Sequence, residues 1–233
     1  MVVVGFDTAT ADTAACAWRD GEVVQESLLG PSPEGRPLHS TRLLAEVERA
    51  AAAVGGWEQV DRIGVGLGPG SFTGLRIGLA TARGLATAMG LSPAGVCTLD
   101  AIGRAMGETG RGGERLAVLD ARRGEVFAAL YSADGERLWD PLVSKPEQLG
   151  ERLDELPRTP WAAGSGALRF PHELVRRGVE IPDDADPVHR VAARHICALA
   201  VAESGDAEPL APIYLRPPDA ARWRERDSVP RAE

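Results

Sequence analysis

Two aspartates and one glycine-rich loop are the residues of this chain best placed to do chemistry. Asp7 and Asp120 each end a short apolar run, and carboxylates at strand ends can hold a metal-bound water or the phosphates of a nucleotide. The loop at 68–74 follows another apolar run and leads into a helix-like stretch, a geometry that presents backbone N–H groups to an anion. The residues that would form such a cleft are Asp7, Gly68, Gly70, Ser71, Thr73, Gly74 and Asp120.

Each of these features also has a plainer interpretation. The loop lacks the lysine of a P-loop, and its glycine spacing is one residue too long for the dinucleotide-binding fingerprint. Pro69 and the flanking glycines suffice for a tight turn between a strand and a helix. Both aspartates could cap neighbouring turns instead. Arg122 and Arg123 lie two and three residues after Asp120 and would partly neutralise it, which weakens the case for an ATPase.

The two aspartates belong to a weak internal repeat. The offset is 113 residues between Asp7 and Asp120, and 114 between the Asp-Gly hairpin signals that start at Asp20 and Asp134. We therefore expect an α/β fold of two similar lobes, residues 1–107 and 108–233, each starting with strand, aspartate and hairpin. The last helix, predicted at residues 188–203, would pack back on the first lobe. The actin-like ATPase (ASKHA) superfamily is built in this way, and its strand-end aspartates line a nucleotide cleft between the lobes.

Helical periodicity predicts one helix before the glycine loop and one directly after it. Ser40–Val54 has an apolar face and would be capped by its own first residue. Thr73 would cap the next helix, which ends near Met89. Small and apolar residues cover two faces of this second helix, and Ala50–Ala53 ends the first. The pair is therefore either buried in the core or packed on another protein, and the pattern leaves both open.

Composition narrows the class of protein. The 233 residues carry a net charge of −8, which argues against nucleic-acid binding by the chain alone. Three scattered cysteines form no CxxC pair and four histidines form no i,i+4 pair, so no metal site is predicted. The start lacks the pattern of a signal peptide and no apolar run approaches the ~20 residues of a membrane span, which predicts a cytoplasmic protein.

Several segments together resemble the TsaB (YeaZ) family of bacterial proteins. The most specific is GPGSFTGLRIG at 68–78, followed by a helix of small residues. The resemblance covers nearly the whole chain, and Phe127 departs from it because tyrosine is usual there. The other matching segments, in the family's order, are Asp7–Thr10, His39-Ser40, Asp120–Phe127, Gly164–Gly166 and Pro212–Arg216.

The resemblance implies an actin-like fold that has lost a working nucleotide site. Proteins of this family pair with the related catalytic subunit TsaD and with the ATPase TsaE, and the complex transfers a threonylcarbamoyl group to the adenosine 3′ of the tRNA anticodon. The chain lacks the HxxxH metal pair of TsaD, so it resembles the non-catalytic dimerisation subunit. We then expect no cofactor on this chain, ATP and metal on the partner subunits, and tRNA contact only through the complex.

The resemblance also implies that the first two helices pair with those of the TsaD-like subunit. A homodimer through the same helices is left open for the free protein. The alternative function is a stand-alone actin-like ATPase or peptidase-like enzyme, which would bind nucleotide and depend on Asp7 and Asp120. The expected partner contacts are Leu43, Leu44, Val47, Leu75, Arg76, Gly78, Leu79 and Ala82.

Overall fold

A computed structural model describes residues 1–202 and 210–216 as two β-sheets with helices packed on both. The strands are β1 (Val2–Asp7), β2 (Thr13–Arg19), β3 (Glu22–Leu29), β4 (Arg62–Gly68), β5 (Ser92–Cys97), β6 (Arg115–Arg122), β7 (Glu125–Tyr131), β8 (Arg137–Ser144) and β9 (Trp161–Ala163). The helices are α1 (His39–Ala53), α2 (Phe72–Met89), α3 (Thr98–Glu108), α4 (Pro146–Asp154), α5 (Ser165–Arg169), α6 (Pro171–Val175) and α7 (Ala193–Ala202).

The two sheets repeat one topology. The first has the order β3-β2-β1-β4-β5, in which an antiparallel three-stranded meander continues into parallel β4 and β5. The second has the order β8-β7-β6-β9, again a meander followed by a parallel strand. Asp7 ends β1, and Asp120 lies two residues before the end of β6, so each aspartate lies at or near the end of the first strand of its meander. The predicted duplicated α/β fold of the actin-like class is therefore confirmed.

The second strand of each meander is joined to the third by a turn centred on Asp-Gly, as predicted. Asp20 and Gly21 have φ of 51° and 99°, the left-handed pair that a type I′ turn requires. Gly135 has φ of 92° and donates its N–H to Ser132 O at 3.1 Å. These turns fix the register between the second and third strands of each meander.

Three apolar clusters form the core. One joins both sheets, because Ile102 and Met106 of α3 pack with Leu119 of β6 while Cys197 of α7 packs against the first sheet. The second lies between the first sheet and α1 and α2, and the third covers the outer face of the second sheet. Residue 107, the predicted lobe boundary, falls in the last turn of α3.

The structure corrects three predicted helix starts. Ser40 lies inside α1, and Leu38 occupies the N-cap without a side-chain bond. Ser71, not Thr73, caps α2, because its hydroxyl accepts the Gly74 N–H. The last helix, predicted from residue 188, begins at Ala193, since the preceding residues form a short 3₁₀ turn capped by the Asp186 side chain. Its predicted last residue, 203, lies outside the described residues.

Among the described residues, no helix is both long and apolar enough to cross a bilayer.

Candidate functional site

The glycine loop packs tightly against the chain that leaves β1. The Ser71 N–H donates to the Ala9 carbonyl at 2.7 Å, and the Thr8 hydroxyl donates to the Gly74 carbonyl at 2.8 Å. A β-carbon at Gly70 would overlap the Ala9 carbonyl oxygen, and one at Gly74 would overlap that of Thr8. The motif therefore needs glycine for close backbone approach, which favours the tight-turn interpretation over a phosphate cradle.

Asp7 lies beneath this loop and is 1% exposed. One carboxylate oxygen accepts the Ala9 N–H at 2.7 Å and the other accepts the Thr98 hydroxyl at 2.8 Å. Burial raises the pKa of Asp7 to about 6, although both hydrogen bonds favour the charged form. A β-carbon at Gly66 would overlap this carboxylate. Asp7 is thus a structural group enclosed by neighbouring backbone.

His39 holds the loop between β1 and β2 in place. Its Nδ1 lies 2.8 Å from the Thr13 hydroxyl and its Nε2 lies 3.2 Å from the Thr10 carbonyl. Burial lowers the pKa of His39, so the neutral tautomer that donates from Nε2 fits both contacts. His39 is the first residue of α1, so these contacts tie the loop to that helix.

Asp120 lies near the end of the matching strand of the second lobe, in a different environment. Its carboxylate lies 3.1 Å from the Arg169 guanidinium and 3.6 Å from that of Arg122. The Asp120 N–H donates to the Ser165 hydroxyl at 3.1 Å. Ser165 follows Gly164, where a β-carbon would overlap the Val118 carbonyl. The Gly164–Gly166 segment is therefore the second-lobe counterpart of the glycine loop.

The C-terminal segment, residues 210–216, connects the two lobes across one side of the cleft. Leu210 is buried in the cluster under α2, and the Ile213 N–H donates to the Leu67 carbonyl at 2.8 Å. Tyr214 packs on Phe72 of the first lobe. Arg216 binds Glu125 of the second lobe at 2.7 Å and also the Ala121 carbonyl. Sequence periodicity gave no signal for this return, because the segment forms neither helix nor strand.

A cavity of about 690 Å³ lies between these parts. Of the predicted cleft residues, Gly70, Ser71, Thr73 and Asp120 line it, whereas Asp7, Gly68 and Gly74 lie outside the lining. Within residues 1–202 and 210–216, no three His, Cys, Asp or Glu side chains converge as a metal site requires. The residues present do not fit a magnesium–nucleotide complex, because the Asp7 carboxylate is buried and both its oxygens are already bonded.

Most of the predicted partner contacts point into this chain. Leu44 and Arg76 are exposed, so the prediction stands for these two. The other six are buried, and we correct them to core residues that support the helices from within. A β-carbon at Gly78, for example, would overlap the Thr8 hydroxyl. The six buried residues are Leu43, Val47, Leu75, Gly78, Leu79 and Ala82.

The opposite side of the two helices carries mainly small and apolar residues, with Glu48 of α1 among them, and we call it the outer helical face. Leu44 is 57% exposed, and Gly84 has no atom within 4 Å of the position of a β-carbon. Most of its side chains are small, so another backbone could approach it closely. Its residues are Leu44, Ala45 and Ala52 of α1 with Ile77, Ala80, Thr81, Gly84 and Ala88 of α2.

These features define a two-lobed protein of the actin-like class whose cleft is closed at its base. Residues 33–182 match the family model described as TsaD, tRNA N6-adenosine threonylcarbamoyltransferase. The chain is 30% identical over 226 residues to the tRNA threonylcarbamoyladenosine biosynthesis protein TsaB of Escherichia coli, covering 93% of this chain and 95% of that protein. It is 37% identical over 221 residues to an uncharacterized protein of Mycobacterium tuberculosis strain H37Rv, covering 94% and 93%.

Solved structures agree with these relatives. YeaZ of Pseudomonas aeruginosa superimposes with a TM-score of 0.74 at 26% identity, covering 92% of this chain and 99% of that one. The chain belongs to the TsaB (YeaZ) family.

Proposed function

We propose that this chain is the non-catalytic subunit of a tRNA threonylcarbamoyladenosine-forming complex, in which it pairs with a TsaD-like catalytic subunit. The observation that carries the proposal is the outer helical face, an exposed surface made mainly of small and apolar residues on two long helices. Surfaces of this kind are covered by partners in soluble proteins. The names of the TsaB relative and of the matched family model supply the pathway.

The absence of catalysis by this subunit is supported by the base of the cleft. The Asp7 carboxylate is enclosed by the Ala9 N–H, the Thr98 hydroxyl and the backbone at Gly66, so it is not presented to a substrate. The Ser71 N–H is also occupied, by the Ala9 carbonyl. We therefore assign ATP and metal to the partner subunits, a TsaD-like protein and a TsaE-like ATPase, and tRNA modification to the complex as a whole.

Gly84 offers a clean test of the pairing surface. Its side-chain position is open, so Gly84→Glu places a charge on the outer helical face without disturbing the core. We expect this variant to fold and to lose co-elution with the TsaD-like protein of the same organism. Gly84→Ala is the matched control. It should keep the pairing and stabilise α2 by about 1 kcal/mol, since alanine favours helix over glycine.

Normal co-elution of a folded Gly84→Glu variant would contradict this surface. The isolated chain could also form a dimer. If Gly84→Glu converts such a dimer to a monomer, the outer helical faces of two copies pack on each other in the absence of the partner. Size-exclusion chromatography with light scattering separates these outcomes.

The stand-alone enzyme makes the opposite prediction. It requires magnesium–ATP to bind the isolated chain and Asp7→Asn to abolish that binding. Calorimetric titration of the purified protein with magnesium–ATP distinguishes the two functions. We expect no heat of binding that depends on Asp7, because its carboxylate is enclosed.

A further inference from the structure

The cavity wall is positively charged although the chain as a whole is acidic. Four arginines and one aspartate are the charged residues of the described lining, whereas the full sequence has a net charge of −8. Two residues outside the lining form ion pairs with it: Glu125 with Arg216, and Arg169 with Asp120. Their opposite charges cancel, so the net charge around the cavity stays positive. A local positive field of this kind attracts phosphate groups. The lining residues concerned are Arg76, Arg122, Arg123, Arg216 and Asp120.

Two of these arginines occupy backbone positions that disfavour them. Arg122 and Arg123 have φ of 62° and 57°, in the left-handed region that suits glycine or asparagine, and Gly124 follows with φ of 75°. Elsewhere in the chain, the β2–β3 turn reaches the same left-handed conformation with Asp20 and Gly21. The β6–β7 hairpin thus keeps long cationic side chains at the cleft where its backbone geometry would favour smaller residues, and such strain marks functional sites.

Exposed aromatic rings accompany the charges. The Phe72 and Tyr214 rings lie 5.3 Å apart and are 37% and 42% exposed. The Arg76 guanidinium lies 3.8 Å above the Phe72 ring. Arginines next to solvent-facing rings form the combination with which proteins hold the phosphates and bases of single-stranded nucleic acid.

We propose that the mouth of this cleft binds a single-stranded segment of RNA, with the arginines on its phosphates and the Phe72–Tyr214 pair stacked on a base. The proposal deepens the proposed function, on which it rests only for the identity of the RNA as the tRNA being modified. A strand fits better than a free nucleotide, because the arginines come from both lobes and would contact more than one phosphate. The loop N–H of Ser71 and the Asp7 carboxylate, which a bound nucleotide would need, are already engaged.

The test measures binding of a fluorescently labelled single-stranded RNA of about a dozen nucleotides to the full chain, by anisotropy, at several salt concentrations. We expect Arg122→Asn/Arg123→Asn to weaken binding by about tenfold or more. Removing two phosphate contacts should reduce the slope of log affinity against log salt by about 1.4. Asparagine tolerates left-handed backbone, so the hairpin is retained.

Two further variants separate stacking from charge. Phe72→Ala should weaken RNA binding at least about fivefold and leave the salt slope unchanged, since no charge is removed. Arg176→Ala is the control, because Arg176 is an exposed arginine of the second lobe outside the cavity lining. It should change neither the affinity nor the slope.

Absence of RNA binding, or unchanged binding by the double arginine variant, would overturn the proposal. Displacement of the RNA by a nucleoside monophosphate as effectively as by unlabelled strand would also overturn it, in favour of a mononucleotide site. Co-elution of the same variants with the TsaD-like subunit is measured separately. If the cleft variants lose RNA binding and still pair with the TsaD-like subunit, the assignment of the RNA site to the cleft is supported. If Gly84→Glu fails to break pairing, the pairing surface is contradicted and the RNA proposal is unaffected.

Discussion

Asp7→Asn tests whether the base of the cleft is closed. If Asp7 is enclosed as the structure places it, its carboxyl group resists ionisation and folding takes up a proton at mildly acidic pH. The pKa of this group is raised by burial from 3.8 to about 6 in the folded chain. Asparagine has nearly the same shape and does not titrate, so the variant removes this proton uptake.

The sign and size of the effect follow from linkage. Between pH 4 and 7 the folded state of the wild type binds more protons at Asp7 than the unfolded state does. The stability contributed by this group is therefore present below its unfolded pKa and is lost as pH rises through about 6. A shift of about two units corresponds to about 2–3 kcal/mol over this range.

The measurement is the free energy of unfolding of both proteins in urea, at intervals from pH 4 to pH 7. The difference between the two curves is the informative quantity, because His195 contributes with the opposite sign in both proteins. Burial lowers the pKa of His195 to about 3, so its contribution is lost as pH falls below 6.5. Thr98→Val is a second variant for the same measurement. It removes a hydrogen bond that favours the charged carboxylate and should steepen the loss of stability with rising pH.

A difference curve that stays flat would refute the reasoning. It would mean that Asp7 ionises as easily in the folded chain as in the unfolded one, as an open carboxylate beside a cation does. The cleft base would then be accessible, and the stand-alone enzyme would regain support.

Two other substitutions check the same architecture. Gly74→Ala should destabilise the fold by about 1–3 kcal/mol in urea unfolding, because the new β-carbon overlaps the Thr8 carbonyl, and unchanged stability would contradict the packing of the glycine loop. His195→Phe should make the fold less sensitive to acid: between pH 7 and pH 4 the variant should lose about 3 kcal/mol less stability than the wild type. The reason is that in this range the imidazole of the wild type stays neutral in the folded state and takes up a proton in the unfolded state. Equal acid sensitivity of the two proteins would show that His195 takes up its proton without unfolding.

The fold was predictable because its signals are local and repeated. Strand, aspartate and Asp-Gly turn occur twice at nearly equal offsets, and each turn needs the left-handed backbone that Gly21 or Gly135 adopts. The starts of α1 and α2 were predicted less well. Ser71 and Thr73 are both good capping residues, and only the three-dimensional course of the loop decides that Ser71 accepts the Gly74 N–H.

Periodicity could not show which face of α1 and α2 is buried in this chain and which is exposed. Helix α2 has small residues on two faces, so composition does not say which face meets the sheet. Contact of Gly78 with Thr8 selects the inner face, and Gly84 is left outside. The return of residues 210–216 to the cleft was equally hidden, because a single contact such as Tyr214 on Phe72 leaves no pattern in the sequence.

The equivalent aspartates of the two lobes lie in different environments, and this difference decides what the cleft can bind. Asp7 is buried and bonded to neutral groups, whereas Asp120 lies between the guanidinium groups of Arg122 and Arg169. A divalent cation entering beside Asp120 would meet these guanidinium charges at close range, where repulsion is strong. A phosphate entering the same space meets attraction from the same arginines. The charge of the cleft therefore favours direct contact with an anion over binding of a divalent cation.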